Sequence, residues 1–302
     1  MTPTSHTRTK ILFALVSILL IQINTGKGQD VALTKLGDLP PVLKESSALQ
    51  YTSSGDIWTI VDSNRAILYC LDSLGQIKKG IHLNNVNHGW EDLAKDDSGN
   101  FYIGDFGNNF NNRKDLKIYK LPPPDSIKEK VVTAEIIEFK YSDQRNFPPD
   151  LDKKTFDMDA MICFGNSIYL FSKNRTKPFT GYTKMYRLPN VPGKYTAELI
   201  DSVYLGPGHM LNTWVTGADI SPDKKTLALL THDKIWLFQC FKGDAFLKGK
   251  MKTIKLNHFS QKEGICFLDN ETLYISDERT ENILGGSLYQ LKLDKSQHAS
   301  CK

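Results

Sequence analysis

Ile118-Tyr119-Lys120-Leu121 sets an apolar residue, an aromatic, a free position and a second apolar residue in a row, and the same pattern returns four more times. The other copies are Leu68-Tyr69-Cys70-Leu71, Met185-Tyr186-Arg187-Leu188, Ile235-Trp236-Leu237-Phe238 and Leu288-Tyr289-Gln290-Leu291, with aromatics 50, 67, 50 and 53 residues apart. Ahead of each copy lies a second apolar segment: Ile57-Trp58-Thr59-Ile60, Phe101-Tyr102-Ile103-Gly104, Ile168-Tyr169-Leu170-Phe171, Leu227-Ala228-Leu229-Leu230 and Leu273-Tyr274-Ile275-Ser276. Self-similarity at roughly 40 to 50 residues, built from short strands, is the mark of a β-propeller with one repeat per blade. The chain is expected to be all-β, a single β-propeller.

Filling each repeat out to four strands gives five blades, over residues 45–83, 90–141, 159–204, 215–256 and 263–293. A sixth blade hidden in the connectors 142–155 and 206–212 is the alternative. The fifth blade supplies only three strands. Val31 to Leu36 alternates apolar and polar residues without a partner of its own, so it is expected to be the missing outer strand and to close the ring. Turn chemistry agrees with the strand count: Ser53-Ser54-Gly55-Asp56, Asp97-Ser98-Gly99-Asn100, Pro222-Asp223-Lys224-Lys225 and Asp269-Asn270 each fall between a first and a second strand.

The start of the chain reads differently. His6, Arg8 and Lys10 precede an apolar run from Ile11 to Ile23, then small residues before Asp30, the layout of a secretory signal. The run falls short of the roughly 20 residues a spanning helix needs. Residues 1–29 are therefore assigned to a signal peptide and 30–302 to the propeller domain, giving a secreted or periplasmic protein without a transmembrane segment in its mature form. No cysteine lies near the expected cut, which argues against a lipoprotein anchor. Removing the signal takes Arg8, Lys10 and Lys27 and no acid, so a formal charge of +4 falls to +1. A surface that close to neutral offers little pull on nucleic acid. Among five cysteines, Cys70, Cys163, Cys240 and Cys266 fall in apolar segments and Cys301 in the polar tail. The expectation is buried thiols rather than a disulfide framework or a metal site.

In a propeller the start of each innermost strand and the end of the second share one face. Aligning the repeats puts Glu91, Asp159 and Glu263 at one equivalent position there, while the fourth repeat has Gly217 and the first has Ser47. Hard cations such as Ca²⁺ take six to eight oxygens from carboxylates, amides and carbonyls, so these three acids, with Asp105, Asn108 or Asn109, form a candidate calcium cradle. The bland reading is that inner-strand acids hydrogen-bond neighbouring blades. Two long loops reach the same face, Asp105 to Arg113 and Lys173 to Tyr182. With Trp90, at the start of the second blade's inner strand, they nominate Asp105, Asn108, Asn109, Lys173, Asn174 and Arg175 as ligand-binding groups for a glycan, a peptide or a partner protein. Histidines are scattered, no serine or cysteine stands in a nucleophile motif, and no Gly-rich phosphate loop precedes a helix.

The strings Trp90 to Asn109 (WEDLAKDDSGNFYIGDFGNN), Tyr169 to Pro189, Val215 to Asp233 and Gln261 to Glu278 resemble a group of secreted bacterial propeller proteins of uncharacterised function. More distantly the chain looks like the calcium-dependent gluconolactonase and phytase-like propellers, whose channel-mouth acids hold a cation. The first resemblance implies fold and export and no activity; the second is architectural. Two functions follow as expectations. The first is an exported, monomeric binding scaffold using one polar face. The alternative is a divalent-metal-dependent hydrolase of a lactone or phosphate ester, with Glu91, Asp159 and Glu263 as ligands.

Overall fold

The computed structural model describes residues 31–62, 65–280 and 285–301; the expected signal segment lies outside them. The chain enters as β1 (Thr34–Asp38) and continues through four antiparallel strands, β2 (Gln50–Tyr51), β3 (Ile57–Thr59), β4 (Ile67–Leu71) and β5 (Ile77–Leu83). A second meander follows: β6 (Trp90–Lys95), β7 (Phe101–Asp105), β8 (Lys117–Leu121), then a detour through the short β9 (Val131–Val132), then β10 (Glu135–Tyr141). The third comprises β11 (Met158–Phe164), β12 (Ser167–Ser172), β13 (Tyr182–Pro189) and β14 (Gly193–Tyr204). The fourth comprises β15 (Gly217–Ile220), β16 (Thr226–Leu230), β17 (Lys234–Gln239) and β18 (Lys250–Lys255). Last come β19 (Lys262–Phe267), β20 (Thr272–Asp277) and β21 (Ser287–Lys292). The fold is all-β and propeller-like, with no α-helix among the described residues.

The recurring apolar-aromatic motif is the third strand of each meander, and its alternation feeds two cores at once. On β4, Leu68 and Cys70 point into one cluster, with Trp90, Leu93 and Ile103, while Tyr69 and Leu71 point into another, with Cys266 and Leu288. On β17, Ile235 and Leu237 join Ile265 and Ile275, while Trp236 and Phe238 join Ala160 and Phe171. A period-two strand buried on both faces can do this only when its sheet is sandwiched between two others. Each meander therefore shares one cluster with the meander before it and one with the meander after it. The first shares with the last as well, through Leu39, Leu43, Leu49, Ile57, Tyr274 and Leu288.

The first strands also follow one another in space: β6 packs on β11, β11 on β15, β15 on β19, β19 on β2 and β2 on β6. Two acids stitch these neighbours through backbone amides. Asp92 accepts from Met161 N at 2.6 Å and Asp219 from Phe267 N at 2.7 Å. This is the bonding expected of inner-strand acids in general, performed by residues other than the three aligned ones.

Three features depart from the sequence reading, and the two connectors keep to it. The N-terminal strand does pair antiparallel with β21, but as Thr34–Asp38, because Val31 instead bridges to Leu256 in parallel on the edge of the fourth meander. Parallel edge pairs, β5 with β9 and β10 with β14, fuse the second and third meanders into one eight-stranded sheet and add a strand to the first. The connectors 142–155 and 206–212 form no strand and hold one 3-10 turn each, Leu151–Lys153 and Met210–Asn212. Cys240 and Cys301 form a disulfide, while Cys70, Cys163 and Cys266 are buried free thiols. The all-thiol expectation failed because spacing cannot show that the polar tail folds back on β17, where Gln239 Oε1 accepts from Ala299 N at 2.6 Å.

Candidate functional site

Glu91, Asp159 and Glu263 each stand where the first strand slips register against the second. Pairing jumps between Trp90 and Asp92, between Met158 and Ala160, and between Lys262 and Gly264. A bulge inserts one residue and re-aims its side chain, so each acid leaves the core alternation while its neighbours keep it. The fourth meander carries no acid there and no bulge. Gly217 pairs with Leu230 in regular register, and a Cβ on Gly217 would lie 2.9 Å from the Glu263 carbonyl oxygen.

The three bulge acids line one cavity of about 470 Å³, joined by Glu45, Asp62 and Glu278 and by Asn109, Lys173, Arg175, Leu211, Trp214, His232 and Gln261. Lys173, the residue that follows β12, is the hub. Its ammonium bonds Asp159 Oδ2, stands 3.9 Å from Glu263 Oε1 and lies 5.5 Å from the Trp214 ring. Arg175 bonds Asp157 and Asn109 and stacks 4.7 Å from the same ring. Trp214 is fixed in turn by donating its indole N–H to the Asn174 carbonyl. His232 turns Nε2 toward Glu263 Oε1 at 3.9 Å. Its side chain is only 8 % exposed, and that nitrogen has no hydrogen-bond partner. Opposite, Gly107 lies so close to the Glu91 carboxyl that a Cβ there would collide with it.

Six carboxyls around two cations cannot all ionise freely. Burial, with the charge of Asp159 behind it, pushes Glu91 well above the usual carboxylate range. Burial lifts Asp159 to about 7, with Lys173 pulling the other way. Glu278 is lifted to about 9 by burial and then by Glu263. Burial works against the Lys173 charge, but Asp159, Glu263, Asp157 and Glu91 outweigh it and hold the ammonium above its ordinary value.

The nominated ligand groups divide. Asn109, Lys173 and Arg175 reach the cavity. Trp90, Asp105, Asn108 and Asn174 do not line it. Trp90 is fully buried, packed 6.0 Å from Tyr119. Asp105 is fully buried, accepting from Arg113 Nη2 at 3.0 Å and from the Tyr119 hydroxyl at 3.2 Å. Asp277 bonds Tyr289 at 3.1 Å in the same way, so an acid at the end of the second strand holds the repeat tyrosine in two meanders. Asn108 ties its own loop, accepting from Asn112 N and Arg113 N and donating to the Phe156 carbonyl. Asn174 donates to Thr180 Oγ1 and the Tyr182 carbonyl. Amide-rich composition cannot separate a loop that binds from a loop that folds.

The sequence reading places Asp62, His232 and Glu278 on this polar face, with Glu45 two residues before the aligned position, without making them ligands; Leu211, Trp214 and Gln261 are not among its candidates. For Asp62, His232 and Glu278 a signal was present, their place at the ends of second strands; Trp214 lies in a connector that carries no repeat pattern.

The arrangement does not fit a single divalent ion on Glu91, Asp159 and Glu263. Lys173 already occupies the approach to two of them, and no group of three or more His, Cys, Asp or Glu among the described residues converges closely enough to hold a metal. No helix among the described residues is long and apolar enough to cross a membrane.

No family model matches the chain, and neither does any curated protein. Among solved structures it is similar to an inactive variant of virginiamycin B lyase from Staphylococcus aureus with quinupristin, at 13% identity and TM-score 0.40, over 85% of this chain and 69% of that one. A streptogramin B lyase is 13% identical at TM-score 0.43, over 88% and 89%. A PQQ-bound aldose sugar dehydrogenase from Streptomyces coelicolor is 10% identical at TM-score 0.47, over 86% and 97%. These neighbours are propeller-like proteins, and the likeness is one of fold.

Proposed function

We propose that the chain is an exported binding scaffold, a single propeller of five four-stranded blades closed by its N-terminal strand, which holds a polar ligand in the cavity at one end of its channel. The packing of first strand on first strand around the molecule favours five blades over six, and the pairing of β1 with β21 favours closure. The Cys240–Cys301 disulfide suits an oxidising compartment, in keeping with the signal-like N-terminus.

One observation carries the binding reading. Three separate bulges deliver Glu91, Asp159 and Glu263 to a cavity in which the buried His232 Nε2 is left without a partner. Buried polar atoms in folded proteins are almost always satisfied, and a cavity of this volume is in the range of small-molecule sites. Asn109, Lys173, Arg175 and Trp214 form the rest of the wall. With Lys173 seated between two of the acids, metal-assisted hydrolysis is the weaker reading.

The test is a thermal-shift screen of polar metabolites, short peptides and oligosaccharides against the mature chain and against Asn109→Ala/Arg175→Ala. Hits that vanish in the variant support the site. Hits that persist move it elsewhere, and a screen without hits overturns the reading.

A further inference from the structure

We propose that the acidic half of this cavity recognises an ammonium group, so that the ligand is a small organic amine or a lysine side chain presented by a peptide. The inference rests on the cavity being the binding site and goes on to its chemistry. The last and first meanders contribute Gln261, Glu263, Glu278, Glu45 and Asp62 to the wall, with no lysine or arginine among them. Both cavity cations, Lys173 and Arg175, come from the third meander and are already engaged by Asp159 and Asp157.

Among the described residues no cation pairs with Asp62 or Glu278. Among the described residues the Glu278 carboxyl accepts from the Gln261 amide, and Glu45 pairs with the exposed Lys44 at 3.4 Å. Acceptors of one sign, gathered from two adjacent sheets, hold one another protonated while the cavity is empty, and a bound cation can take the place of those protons. Beside them the unpartnered His232 Nε2 offers a further nitrogen on the same wall.

The cation that fits is one that donates hydrogen bonds. A divalent metal needs oxygens within about 2.6 Å of one point, which this wall does not provide. An ammonium donates three N–H bonds at heavy-atom separations of roughly 2.7–3.2 Å and tolerates the looser spacing. A neutral polyol would find acceptors here but would bring no charge to balance the carboxylates that remain ionised. The mouth opens beside Asp62 and Asn109, both exposed, so an amine on a chain can enter with its remainder in solvent.

The experiment is calorimetric titration of the mature protein with spermidine, with an N-acetylated lysine tripeptide amide in parallel and sorbitol as the uncharged control. Saturable binding of spermidine alone assigns a free polyamine, and binding of the tripeptide assigns a peptide-borne lysine; either supports the proposal. Asp62→Asn/Glu278→Gln should weaken that binding at least tenfold while melting no lower than the wild type, because it removes two mutually unfavourable carboxyls. Should that double variant fail to fold, Glu45→Gln alone should weaken binding in the same direction. Amine binding that both variants leave intact overturns the assignment. Saturable sorbitol or glycan binding without amine binding overturns the ammonium proposal while leaving the cavity as the site. Heat from no probe overturns the proposal, and the broader screen then decides the fate of the binding reading on its own.

Discussion

Lys173→Met removes the cation that stands between Asp159 and Glu263, and the structure fixes both the size and the pH signature of the loss. The lysine is 8 % exposed, its ammonium bonds Asp159, and it lies against the Trp214 ring. Deleting one partner of a buried ion pair leaves the other charge uncompensated and is worth about 3–5 kcal/mol. For a domain of this size each kcal/mol moves the melting temperature by roughly 2–4 °C, so the variant should melt about 6–20 °C lower at pH 8.

Acid should shrink the difference. Asp159 is pushed up to about 7 with the lysine present, and losing Lys173 raises it further. The uncompensated charge is present in full above that value and is quenched as pH falls toward 4. Circular-dichroism melts of both proteins at pH 8 and pH 5 test this, with Lys173→Met/Asp159→Asn as the double variant that recovers most of the loss. Equal melts at pH 8, or a deficit as large at pH 5 as at pH 8, would refute the reasoning.

Three further outcomes are expected. Because Asp159 and Glu278 are raised above their unfolded values, the native chain holds protons that the unfolded chain gives up; stability should fall as pH climbs from about 4 to 9, by up to about 1.4 kcal/mol per pH unit for each such carboxyl, and a flat profile from denaturant titrations would contradict the cluster. Deleting residues 31–38 strips four residue pairs from β21 and should lower stability by roughly 2–5 kcal/mol at about 1 kcal/mol per ladder bond, whereas an unchanged melt would reject closure by β1. Cys301→Ser opens a loop spanning 61 residues, for which the chain-entropy model sets a ceiling of about 4 kcal/mol; guanidinium unfolding of variant and wild type would read it, and identical midpoints would mean the bridge constrains little.

The third strands were legible because their alternation serves two cores at once: Leu68 and Tyr69 are adjacent in sequence and belong to different clusters. The strand order within meanders followed from the turns. Less was legible in the site. Repeat alignment found Glu91, Asp159 and Glu263, yet nothing in the residues announces a bulge, and a one-residue slip is what separates cavity-facing Glu91 from Asp92, which bonds the next sheet. Trp90 read as a binding aromatic because it sits beside Glu91, and the same bulge leaves it in the core. The parallel edges and the folded-back tail depend on contacts between distant segments with no repeat to betray them, and Trp214 was hidden for the same reason.

The central claim is that carboxyls from separate sheets meet in one buried mouth around Lys173. Titrating the side-chain carboxyl carbons by ¹³C NMR from pH 3 to 10, in the wild type and in Asp159→Asn and Glu278→Gln, tests it most directly. The account predicts carboxyl resonances titrating near 7 and near 9, the first lost in Asp159→Asn and the second in Glu278→Gln. If every carboxyl titrates between 3 and 5, the acids do not share a buried site and the account is wrong.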